Sequence, residues 1–147
     1  MIDEAALLAQ GWERLPTVRY SAAVGPTWKR LADGELEVGL IAEAHLGNDN
    51  LGIVHGGAMM TFGDMALGCG VGHAQANQMF VTAQLQFHFV SAARVGDFIV
   101  CRPHVVKATS QLVFVRGLFE ADGRTLATAD GIFKLLDPAK AQGMKAK

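Results

Sequence analysis

Apolar residues recur at helical spacing near the start of the chain, at Ile2, Ala5, Ala6, Leu8, Ala9 and Trp12. Gly11 and Pro16 mark where that pattern stops, which predicts a short amphipathic helix within residues 1–16. Residues 18–24 suggest a short strand. Ala32-Asp33-Gly34 is a turn signal, and residues 35–40 behind it alternate as a half-buried strand does. A polar loop over 47–52 leads into a long apolar stretch, residues 57–73, read as a helix whose end is loosened by Gly68, Gly70 and Gly72. Beyond it the period changes to two. In residues 80–90, Ala83, Leu85, Phe87 and Phe89 fall on one face and Thr82, Gln84, Gln86 and His88 on the other. The turn Arg94-Val95-Gly96-Asp97 precedes a strand over 98–106, and Ala121-Asp122-Gly123-Arg124 joins strands over 111–120 and 125–136 as a hairpin. The polar, Lys-rich residues 138–147 read as a disordered tail.

The order is therefore helix, two strands, one long apolar helix, four strands. That is an α+β plan in which an antiparallel sheet must wrap one central helix. The apolar face of residues 80–90 would pack on Met59, Met60, Phe62 and Leu67. No repeat or second domain is visible, and 147 residues suit one domain with a sizeable core. Half of the residues are hydrophobic, rich for a small monomer, which points to a buried subunit interface. No run approaches the roughly 18 apolar residues of a membrane span, and the acidic N-terminus lacks a signal-peptide layout. A cytoplasmic protein is expected, with no membrane contact. A net charge of −1 gives no broad field for nucleic acid. Cys69 and Cys101 are isolated and read as reduced, buried thiols. The histidines have no metal-ligand spacing, so no metal and no separate cofactor is expected.

The chemistry concentrates in one place. His55-Gly56-Gly57 opens the long apolar helix, and a single carboxylate, Asp64, sits in its middle. Apolar helices bury themselves, and a buried carboxylate needs a partner or a task. A Gly-Gly helix start leaves backbone N–H groups free to meet a polarised oxygen, and the helix dipole favours negative charge there. Gly57 and Asp64 lie on nearly one helix face but about 10 Å apart at ~1.5 Å per residue. A carboxylate must come within about 3 Å of the atom it acts on. One chain cannot bring both groups to one carbon, so a homodimer with two composite sites is expected.

These elements, with Gly52-Ile53-Val54-His55-Gly56-Gly57, Asp64 nine residues after His55, and Val81-Thr82-Ala83-Gln84 leading to Phe89-Val90-Ser91-Ala92-Ala93 and Gly96-Asp97, resemble the PaaI-like hotdog-fold acyl-CoA thioesterases. The resemblance covers roughly residues 28–136. It implies a hotdog fold and hydrolysis of an acyl-CoA, with coenzyme A as part of the substrate. By position it implies Asp64 as the catalytic carboxylate, acting as general base or as nucleophile. Gly57 would supply the N–H that binds the thioester oxygen, His55 would support that turn, and a Thr82 hydroxyl would assist the water. Gly56 and Met60 would meet the substrate. Many relatives carry Asn six residues before the His; here that residue is Asp49, flanked by Asn48 and Asn50, so Asn48, Asp49 and Asn50 are all candidates for its part, and Asp49 and Asn50 are read as substrate-binding. The apolar lining accepts an aryl or a medium alkyl acyl group, and the dimer often doubles to a tetramer. Two other functions use the same fold. A non-catalytic acyl-CoA sensor keeps the pocket without needing Asp64, and an enoyl-thioester hydratase or dehydratase needs His55 and Asp64 at one thioester.

Overall fold

The computed structural model describes residues 1–145. Helix α1 (Glu4–Ala9) and strand β1 (Glu13–Arg14) lead through a 3-10 turn (Arg19–Ala23) to strands β2 (Thr27–Ala32) and β3 (Glu35–Ile41). Helix α2 (Gly56–Ala74) follows, then β4 (Phe80–Phe89), β5 (Phe98–Cys101), β6 (His104–Ala108), β7 (Leu112–Ala121), β8 (Arg124–Leu135) and α3 (Pro138–Met144). The eight strands form one antiparallel sheet in the order β1-β2-β3-β5-β7-β8-β4, with β6 beside β7. Strand β4 therefore stands at an edge. As expected, the sheet wraps one long helix.

Helix α2 buries Met59, Phe62, Gly63, Ala66, Leu67, Gly70 and Val71. These sit three or four residues apart, so they form one stripe, which packs on Leu40, Ile99, Val115, Phe119 and Phe133 of the sheet. Met60 departs from the expected packing: it lies off that stripe and is exposed. A second cluster of Leu7, Trp12, Trp28 and Ile41 holds α1 to the other side of β2 and β3. Leu40 and Ile41 are neighbours in the strand and so face opposite sides. Both Asp-Gly turns form. Asp33 and Gly34 have φ of 52° and 81°, and Asp122 and Gly123 have 47° and 71°, the pair of positive φ values that a two-residue hairpin needs.

The structure corrects several expectations. Residues 18–24 form no strand; Arg19 at φ 57° turns the chain instead. The strand lies later, at β2, where Arg30 occupies a half-buried position and masks the alternation. Its guanidinium stacks on Trp12 at 4.5 Å and pairs with the buried Glu37 at 2.6 Å. Glu37 also receives Arg102 at 2.6 Å, so a buried carboxylate is doubly compensated. Helix α1 ends at Ala9, ahead of Gly11 at φ 83°. Pro103, which cannot donate to a ladder, divides the strand expected over 98–106 into β5 and β6.

The C-terminal residues also differ from expectation. Pro138–Met144 is a helix rather than a disordered tail, because Asp137 caps the Ala139 N–H at 3.0 Å, Pro138 opens the first turn and Ala141 is buried. Residues 146 and 147 of that tail lie outside the described residues.

The glycines near the end of α2 do not loosen it. A Cβ on Gly70 would stand 2.7 Å from Pro103 Cβ, so the glycine lets α2 lie against the β5–β6 corner. Gly70→Ala gains about 1 kcal/mol of helix propensity and incurs an overpacking penalty of about 1–3 kcal/mol. Net destabilisation is expected, read as a lower urea midpoint; a midpoint at or above wild type would contradict this packing.

Candidate active site

His55 is the N-cap of α2. Its Nδ1 accepts the Gly57 N–H at 2.9 Å, while its backbone N–H donates to Leu46 O at 2.7 Å. This fixes the neutral tautomer with the proton on Nε2. The ring folds back over the helix start only because residue 57 has no side chain: a Cβ there would meet His55 Nδ1 at 3.1 Å. The two glycines are thus not equivalent. The N–H of Gly57, the expected oxygen donor, is engaged by His55. The Gly56 and Ala58 N–H groups have no acceptor among the described residues, and Gly56, the first residue of α2, is a free donor at its positive end.

Gly56 opens onto a cleft also lined by Asn48, Met59, Phe89, Val90 and Ser91. Asn48 is the member of the Asn48-Asp49-Asn50 loop that lines it. Its backbone N–H donates to Ile53 O at 2.8 Å, and its side chain accepts the Asn50 N–H at 3.2 Å. Asp49 and Asn50 are exposed and line no cleft with Gly56. Nothing in the sequence distinguishes Asn48 from its neighbours. The far wall, residues 90–93, is held by Asp97, which accepts from Arg124 Nη2 at 2.8 Å and from the Arg94 N–H at 2.8 Å. Gly96-Asp97 therefore serves the shape of this loop.

Asp64 lies two turns further along α2, half-buried rather than enclosed. Thr82 Oγ1 donates to its Oδ1 at 2.6 Å. Strict alternation would point Thr82 away from the helix. A β-bulge changes this: Thr82 pairs with Phe133, Gln84 with Ile132, and Ala83 is the unpaired extra residue. The bulge shifts the parity of the strand, so Thr82 shares the helix-facing side with Leu85 and Phe87. Asp64 and Thr82 open into a second cleft with Met65, Gly68, Cys69 and Phe80. Burial pushes the Cys69 thiol up to about 11, against a smaller opposing pull from Lys29. Cys69 thus stays protonated at neutral pH and offers no rival nucleophile. Gly56 and Asp64 face different clefts, as their eight-residue separation on one helix demands.

The thioesterase superfamily model matches residues 51–128, which span this helix start, Asp64, Thr82 and most of the sheet. The chain belongs to the thioesterase superfamily. It is 32% identical over 115 residues to a candidate esterase of Pseudomonas aeruginosa, covering 76% of this chain and 84% of that one. Its structure is similar to a Bacillus halodurans protein solved with CoA, at TM-score 0.67 and 29% identity, covering 74% and 73% of the two chains. It also shares its fold with a mutant of the phenylacetic acid degradation protein PaaI from Thermus thermophilus, at TM-score 0.65 and 18% identity, covering 90% and 99%. The expected PaaI-like hotdog thioesterase fold is the observed one. Among the described residues, no helix is long and apolar enough to cross a membrane.

Deleting Ala83 tests the bulge. Thr82 and Phe80 would turn outward together. Stability should fall by about 1.5–3 kcal/mol, the transfer cost of one large apolar side chain, and thioesterase turnover should drop with it. Wild-type turnover in the deletion variant would show that Thr82 need not face Asp64.

Proposed function

We propose that this thioesterase hydrolyses an acyl-CoA to the free acid and coenzyme A, at sites shared between two copies of the chain. The observation that carries this is the pairing of a free N–H at a glycine helix start with a hydroxyl-supported carboxylate on the same helix. The Gly56 N–H binds the thioester oxygen and meets the negative charge that develops there, aided by the helix dipole. Gly57 and His55 hold that first turn in shape. Thr82 occupies Asp64 Oδ1, so Oδ2 is left to take a proton from water or to attack the carbonyl carbon. Asn48, on the Gly56 cleft, is placed to orient the carbonyl.

The dimer reading rests on surface and edge. The chain exposes 8569 Å², against about 7,200 Å² for a monomer of its 15.6 kDa mass. Strand β4 is a ten-residue edge strand, and Phe89, Val90, Met60 and Val81 around it are all at least 40% exposed. An open apolar edge of this length invites a second strand. A twofold partner on this edge brings its own α2 alongside, so Gly56 of one chain meets Asp64 of the other.

Release of free thiol from a panel of acyl-CoAs tests the reading. Asp64→Asn should lower turnover by at least ~10²-fold, the scale of losing a general base. Unchanged turnover in this variant would remove Asp64 from the chemistry. Binding of acyl-CoA without turnover by the wild type would favour a sensor.

A further inference from the structure

The N-terminal segment crosses the mouth of the Asp64 cleft, a role that no part of the family match at residues 51–128 covers. Its two ends are fixed. The Leu15 N–H donates to Thr27 O at 2.9 Å, and Val24 is buried in the core. Between these anchors the chain is exposed: Val18 and Tyr20 are each 73% accessible. One side-chain bond ties this span to α2. The Tyr20 hydroxyl lies 3.0 Å from Thr61 Oγ1. Thr61 already gives its own hydrogen to Gly57 O at 2.9 Å, so Tyr20 must be the donor. Arg19, at φ 57°, is the left-handed residue that turns Tyr20 onto the helix. A non-glycine residue persists there when its surroundings hold it.

The span and the helix border an open cleft of ≈ 540 Å³. Leu15, Pro16 and Val18 on one side face Met65, Gly68 and Phe80 on the other, and Asp64 with Thr82 stands among them. Gly68 lies at the floor, where a Cβ would meet the Phe80 ring at an ordinary contact distance of 3.4 Å. Among the described residues, no Lys, Arg or His lines the cleft, so no wall residue pairs directly with an anionic acyl tail, and Asp64 in it opposes one.

We propose that residues 15–21 are a specificity strap, held by Tyr20, that walls the acyl pocket and selects uncharged apolar acyl groups longer than acetyl. This rests on the hydrolase reading above and adds the substrate class to it. The strap acts on the acyl tail, away from the reacting carbon. Removing the Tyr20 tether lets the wall swing out, and the loss grows with the length of the tail it covers. A carboxylate at position 18 would have to lose water against the apolar tail, which weakens that wall directly.

The test is kcat/KM across acetyl-, butyryl-, octanoyl- and benzoyl-CoA for the wild type, Tyr20→Phe and Val18→Asp. The octanoyl-to-acetyl ratio should fall at least about tenfold in Val18→Asp, the scale on which apolar pockets distinguish related substrates. It should fall in the same direction in Tyr20→Phe, which keeps the ring and loses only the hydroxyl. Both positions are exposed, so a urea midpoint near wild type is expected for each; if Val18→Asp does not fold, Tyr20→Phe decides alone. Ratios unchanged from wild type, with turnover intact, overturn the strap and leave the hydrolase reading standing. A wild-type chain that turns over none of these thioesters overturns the hydrolase reading, and with it any role for the strap in selecting hydrolysed groups.

Discussion

Helix α2 is a rigid spacer. It holds the free N–H of Gly56 and the carboxylate of Asp64 eight residues apart, about 12 Å along the axis, and the two groups open into different clefts. No rotamer of Asp64 spans that distance. Either the two groups serve unrelated purposes, or each completes a site with the matching group of another chain. The rest of the molecule is consistent with the second. The helix buries one stripe in its own sheet, yet its other side carries Gly57, Thr61, Asp64 and Gly68, small or polar positions, of which Asp64 and Gly68 open into the cleft that residues 15–21 border. The strand beside that open side, β4, has a free edge.

Local devices then aim each group. His55 commits its Nδ1 to Gly57, which leaves Gly56 as a free donor at the first position of the helix. The bulge at Ala83 turns Thr82 inward to Asp64. Asp97 and Arg124 hold the loop that walls the Gly56 cleft. Each is a small departure from regular structure, and each falls beside the Gly56 cleft or the Asp64 cleft. Backbone irregularity is placed where a side chain or an N–H has to be re-aimed.

Much of this was legible in the sequence, and the failures have physical causes. The long helix, the Asp33-Gly34 turn, the Asp122-Gly123 hairpin and the α+β plan follow from periodicity and turn chemistry, which act locally. Strand β2 escaped because Arg30 sits half-buried through a stack on Trp12 and a bond to Glu37, and no residue near it in sequence announces either. The C-terminal helix escaped because its composition is polar, while the cap at Asp137 and the docking of Ala141 fix it. At the site, Asp64, His55, the glycine pair and Thr82 were all marked. What the sequence cannot rank is two adjacent glycines, or Asn48 against Asp49 and Asn50. Their difference lies in the direction of one imidazole ring and one loop. The bulge was hidden because alanine fits either face of a strand.

Complementation between two defective chains tests the shared site most directly. Gly56→Pro removes the N–H at a first helical position where proline is favoured, and its Cβ would meet the Phe89 ring at an ordinary contact distance of 3.4 Å. His55 already has the extended φ and ψ of −61° and 135° that a following proline requires. Each of Gly56→Pro and Asp64→Asn should be inactive alone. Co-refolded in equal amounts, they should recover about a quarter of wild-type turnover, since half of the twofold dimers are mixed and each mixed dimer holds one intact site. No recovery from mixtures shown to contain heterodimers would contradict the composite site.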